Sequence, residues 1–181
     1  MSHYTYLNPP KEWVEENLDK QEYVSEQDAK DKEAVLKEKL CAIVAYAPKS
    51  LDESKQAIDD INSIFNGFLS IMKAEMRSID KDRMKEDKYL WYSGWQNAFN
   101  DRYEAEDKVK EFKDYFGREK RKLIALASMD KSKIKLDKDK YDSIEDYITW
   151  QIDDCFRNID ESYGFDAYSA QNIYDLWEFR Q

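Results

Sequence analysis

Apolar residues return along this chain at steps of three and four, the repeat that lines one side of a helix rather than the alternation of a strand. The clearest run is Ile58, Ile61, Phe65, Phe68, Met72, Met76 and Ile79, a seam of the kind that packs helix against helix. Ser50-Leu51-Asp52-Glu53 stands just ahead of it, and a Ser followed three residues later by Glu satisfies the free amides of a helix start reciprocally. A second run, Met84, Trp91, Trp95, Ala98, Ala105, Val109, Phe112, Phe116, Leu123 and Leu126, keeps heptad steps or sums of them and predicts another long helical stretch. Gly94 and Gly117 interrupt it. Each Gly costs a helix about 1 kcal/mol against Ala, so a kink is expected at the first and a break near the second.

Shorter elements flank these two. Asn8-Pro9-Pro10 starts a short helix to about Leu18 that carries Trp13, because Asn caps free amides and Pro at the first helical position loses no hydrogen bond. Ser25 offers the next cap, and Leu36, Leu40, Ile43, Val44 and Ala47 recur at helical spacing until Pro48 stops the run. The first half of that helix, Glu26 to Glu38, is charged almost all round and is expected to project into solvent or onto a partner. Ser143-Ile144-Glu145-Asp146 opens a later helix with Ile144, Ile148, Ile152, Cys155, Phe156 and Ile159 on one face, ending at Gly164. A final short helix is predicted from Ala167 to Phe179, with Ile173, Tyr174 and Trp177 inward.

The expected fold is therefore all-α: a bundle of about five to seven helices, with two long central helices and a shorter acidic C-terminal pair. Residues 1–128 are read as the N-terminal and central bundle and 129–142 as a loop of Lys alternating with Ser, Asp and lone aliphatics. Residues 143–181 form an acidic helical segment packed on the same domain.

Composition supports helix and thins the core. Only 4 Gly and 3 Pro punctuate 181 residues, too few turn residues for an all-β protein or a doubly wound sheet. Charged residues make up 38% of the chain, but 13 Tyr, 8 Phe and 5 Trp supply the large buried area that disordered chains lack. Nothing approaches the ~20 apolar residues of a membrane span, and the N-terminus lacks a basic segment followed by an apolar run. A cytoplasmic protein is expected, in the host cell if the chain is phage-encoded. Cys41 and Cys155 lie far apart in helical patterns and read as reduced, buried small residues.

Charge is divided along the chain. The net charge is −10, and residues 141–181 hold ten carboxylates against Arg157 and Arg180, a net of −8, whereas residues 107–140 carry a net of +5. On the 144–163 helix the acids fall mainly opposite the apolar face, with Asp153 above Asp160 and Asp154 above Glu161. Seven residues at ~1.5 Å rise separate each such pair by ~10 Å, comparable with every third phosphate at ~3.4 Å per nucleotide along a DNA strand. Three readings follow for this face: a solvating exterior, a surface that imitates nucleic acid or binds a basic protein, or internal pairing with Arg118, Lys120, Arg121 and Lys122.

Chemistry narrows the classes further. His3 is the only histidine and falls in a segment expected to be a flexible terminus, so Ser-His-Asp or Cys-His catalysis and histidine-ligated metal sites are not expected. Asp137-x-Asp139-x-x-Asp142 echoes a calcium loop but lacks its sixth-position Gly and twelfth-position Glu. Glu86-Asp87-Lys88 echoes the E-x-K of metal-dependent nucleases without a strand scaffold, and the four isolated glycines form no phosphate loop. No cofactor, metal or catalytic residue is expected.

The aromatic group Tyr89, Trp91, Tyr92, Trp95 and Phe99 is denser than a core demands and is read either as core or as an interface hot spot. The leading expectation is a non-enzymatic interaction protein that blocks the nucleic-acid-binding surface of a partner. Its contacts would be Asp146, Asp153, Asp154, Asp160 and Glu161, with Trp91, Tyr92 and Trp95 as apolar anchors. In size, charge and helicity the chain resembles acidic DNA-mimic, anti-restriction and anti-CRISPR proteins. Direct nucleic-acid binding and membrane binding are not expected. The alternative is a helical scaffold that dimerises through the 58–79 seam and the Trp91/Trp95 group.

Overall fold

The computed structural model describes residues 25–87, 102–164 and 167–172, and every regular element among them is helical. In chain order these are α1 (Glu26–Ala45), α2 (Leu51–Glu86), α3 (Arg102–Ser128), a 3-10 turn at Lys131–Lys133 and α4 (Ile144–Ser162), with residues 167–172 helical as well. The fold is all-α, and its two long helices have 36 and 27 residues. Among the described residues no helix is long and apolar enough to cross a membrane. The expected Asn8–Leu18 helix, the Trp91, Tyr92 and Trp95 group, Gly94 and the inward positions Ile173, Tyr174 and Trp177 lie outside the described residues.

Local chemistry sets the start of α2. The Ser50 hydroxyl accepts the Glu53 amide at 3.1 Å, as a capping residue should. Glu53 reaches back one residue beyond the usual box and accepts the Lys49 amide at 2.6 Å. The same carboxylate accepts the Tyr46 hydroxyl at 3.2 Å, which raises the phenol pKa, chiefly through that hydrogen bond. One side chain thus ties the turn containing Pro48 to the helix it precedes.

Two expectations are corrected along the long helices. α3 passes through Gly117 without a break: Phe116 and Leu123 are buried to either side, and burial of two large side chains outweighs the ~1 kcal/mol propensity cost of one Gly. Met84 belongs to α2 rather than to the following helix. The seam itself holds at Ile61, Phe65, Phe68 and Met72, all 3% exposed or less, but Ile79 is 39% exposed and Asp80 is fully buried. No residue from 71 to 78 is exposed, although only Met72 and Ala74 among them are buried.

The chain divides into two compact units. The first comprises residues 27–71 and 115–161, and in it four helical segments share one apolar core. Phe65 meets Phe116 edge-on at 5.6 Å and Phe156 edge-on at 5.6 Å, while Phe68 stacks on Phe156 at 4.2 Å, which joins α2 to α3 and α4. Leu36 of α1 lies beside Gly67 of α2, where an added Cβ would sit 3.6 Å from it. Leu40, Val44, Leu123, Ile148, Ile152 and Ile159 complete the core.

The described part of the second unit comprises residues 72–87, 102–114, 162–164 and 167–172. Phe112 packs on Tyr163 at 4.9 Å, and Asp80, Tyr163 and Tyr168 are buried. Burial, and after it the nearby Asp80 carboxylate, pushes the Tyr168 phenol pKa up, against a hydrogen bond with Asn172 and the charge of Arg77.

Candidate interaction surface

α4 begins where Ser143 accepts the Asp146 amide on its hydroxyl at 3.2 Å. Glu145 and Asp146 occupy the first turn, where the exposed amides favour negative charge. Ile148, Ile152, Cys155, Phe156 and Ile159 are buried, and that apolar stripe turns the rest of the helix outward. Asp146, Trp150, Asp153, Arg157, Asp160 and Glu161 are all exposed.

The chain compensates part of this acidity itself. Lys37 of α1 pairs with Asp153 at 3.3 Å and with Glu33 of its own helix at 3.4 Å, and its ammonium lies 5.9 Å from the centre of the Phe156 ring. Asp154 is engaged by Arg157 and by the Asn158 amide. Asp146, Asp160 and Glu161 form no ion pair among the described residues.

The carboxyl pKa of Asp160 is raised, first by partial desolvation and then by the adjacent Glu161, with Lys37 acting the other way. That of Glu33 is also raised, chiefly by burial, against the charge and hydrogen bond of Lys37. Lys37 is therefore the counter-ion of a cluster of three carboxylates drawn from two helices.

The basic stretch does not perform that task. Lys122 pairs with Glu119 at 2.8 Å within α3, Arg118 lies over Tyr115 and Lys120 over Phe116. Among the described residues no ion pair joins 118–140 to the acids of α4. Asp137, Asp139 and Asp142 do not converge either. Asp137 accepts the Asp139 amide on its side chain and the Lys140 and Tyr141 amides on its carbonyl, which makes it a turn former. Among the described residues no three His, Cys, Asp or Glu side chains gather as metal ligands.

Two residues escaped the pattern reading. Glu119 is 4% exposed and fills the gap between Phe116 and Leu123 in the α3 seam. The Cys155 thiol donates to its carbonyl at 3.5 Å. Burial and the proximity of Glu119 push the Cys155 thiol pKa well up, so it is poorly nucleophilic, whereas Cys41 is half-buried, with its sulfur 3.8 Å from the Thr149 hydroxyl. The other is Trp150, 46% exposed among the acids of α4. It meets Tyr141 edge-on at 5.9 Å, and Tyr141 meets Tyr147 edge-on at 5.2 Å.

Compared with known proteins, the chain matches no protein family, no curated protein and no solved structure.

Proposed function

We propose that this protein is a non-enzymatic interaction protein whose acidic α4 face occupies the nucleic-acid-binding surface of a basic partner, as inhibitors of the DNA-mimic, anti-restriction and anti-CRISPR kind do. The observation that carries this reading is the outward row of Asp146, Asp153, Asp160 and Glu161, of which only Asp153 has an ion-pair partner among the described residues. Partner lysines and arginines would meet these carboxylates in place of phosphates, and the association would weaken as salt screens it. The scaffold alternative would have to use the more exposed part of the 58–79 seam, such as Ile79, because Ile61, Phe65 and Phe68 are fully covered within the chain.

The test uses the full-length chain and a variant carrying Asp146→Lys, Asp153→Lys, Asp160→Lys and Glu161→Lys as baits in a lysate of the native host. The native chain should retain proteins with basic nucleic-acid-binding surfaces, released by duplex DNA or by raised salt, and the variant should not. Recovery of the same proteins on both baits, or retention undisturbed by duplex DNA, would sink the reading.

A further inference from the structure

Among the described residues of the first unit, several cations lie against aromatic rings. Lys37 lies 5.9 Å from the centre of the Phe156 ring, Arg118 5.6 Å from Tyr115 and Lys120 6.0 Å from Phe116, all within the range at which a ring face attracts positive charge. Trp150 is the ring type that binds cations best, yet among the described residues no cation lies over it. It sits on the outer face of α4 rather than in the core, 46% exposed.

Its surroundings specify what would cover it. Asp146 precedes it by four residues, and Asp153 and Asp154 follow by three and four, the spacings that bring side chains together on a helix surface. Tyr141 meets the ring edge-on and itself meets Tyr147 edge-on. A half-exposed indole in edge contact with one phenol, with Asp146 one helical turn away and in no ion pair among the described residues, suits a flat cation that stacks and donates hydrogen bonds at once. Arginine fits that description. Lysine, a compact charge on a flexible stem, fits it less well.

We infer that Trp150, in edge contact with Tyr141, is the anchor of the α4 interface and takes an arginine side chain of a basic partner protein, with Asp146, one turn earlier on the helix, to receive the guanidinium. This rests on the acidic-face reading and adds to it a residue and a preference: arginine-rich surfaces are selected over lysine-rich ones of equal charge.

The experiment titrates the full-length chain into fluorescently labelled nona-arginine and nona-lysine peptides and follows anisotropy. The native chain should bind the arginine peptide more tightly, and Trp150→Ala should lose about tenfold of that affinity and the preference with it. Trp150→Phe should keep part of both. The indole N–H resonance that disappears in Trp150→Phe should shift during the arginine titration of the native chain, a readout that unfolding of the alanine variant cannot imitate.

Native-like arginine binding by Trp150→Ala, equal binding of the two peptides by the native chain, or an unmoved indole resonance overturns the anchor. The acidic-face reading fails separately, if the four-lysine variant binds the peptides as the native chain does.

Discussion

Phe156→Ala should cost the protein about 3–5 kcal/mol, enough to leave a marginally stable domain largely unfolded. The ring is fully buried, stacks on Phe68 and receives the edge contact of Phe65. Its removal opens a cavity where α2 and α4 meet. Among the described residues Phe65 would then keep Phe116 as its aromatic neighbour. Urea unfolding followed by helical circular dichroism measures the loss, with Val35→Ala, at a half-exposed position, as a control expected within about 0.5 kcal/mol of the native chain. A loss for Phe156→Ala under about 1 kcal/mol would mean that the two helices do not share this core.

Lys37→Glu is expected to cost about 2 kcal/mol near pH 7, below the cost of breaking a fully buried pair because these groups retain contact with water. It removes the cation between Glu33 and Asp153 and adds a carboxylate to a cluster that also includes Asp160. The pH dependence identifies the cause. Glu33 and Asp160 have raised carboxyl pKa values, so each binds its proton more tightly in the folded chain than in the unfolded one. Their contribution to stability falls as pH rises from the ordinary carboxylate pKa through the raised one, and acidification through that window recovers it. Lys37→Glu takes away the positive charge that opposes both shifts, so its penalty should be greatest at neutral pH, shrink as acidification passes through the raised carboxyl pKa values and be small by the ordinary carboxylate range at about pH 4. Lys37→Met should show a smaller penalty with the same trend. A penalty independent of pH would assign the loss to packing on Phe156 rather than to charge.

How much of this was legible before the structure depended on whether the deciding contact was local. The α2 seam and the Ser50 and Ser143 caps were, because spacing along one helix and hydrogen bonds within four residues decide them. The continuity of α3 through Gly117 was not, since a propensity cost is local but the burial of Phe116 and Leu123 that overcomes it is supplied by other helices. Glu119 was half legible: a heptad seam that skips from Phe116 to Leu123 leaves a position whose occupant, read off the chain, is an acid. The exchange of Ile79 for Asp80 as the inward residue, and the pairing of Lys37 with Asp153, depend on how helices surround one another, and nothing in the periodicity of one segment encodes that. Trp150 escaped because a ring off the apolar stripe of α4 carries no periodic signal, and its contact with Tyr141 needed the path of the intervening chain.

The unlike settings of the two cysteines make the chain its own clock. Cys41 keeps some contact with water, while Cys155 is enclosed and held protonated beside Glu119. A maleimide pulse should therefore mark the first sulfur in seconds and reach the second only when α4 lifts away from α3. Counting labels by mass over time would report how often that core breathes, without any engineered probe.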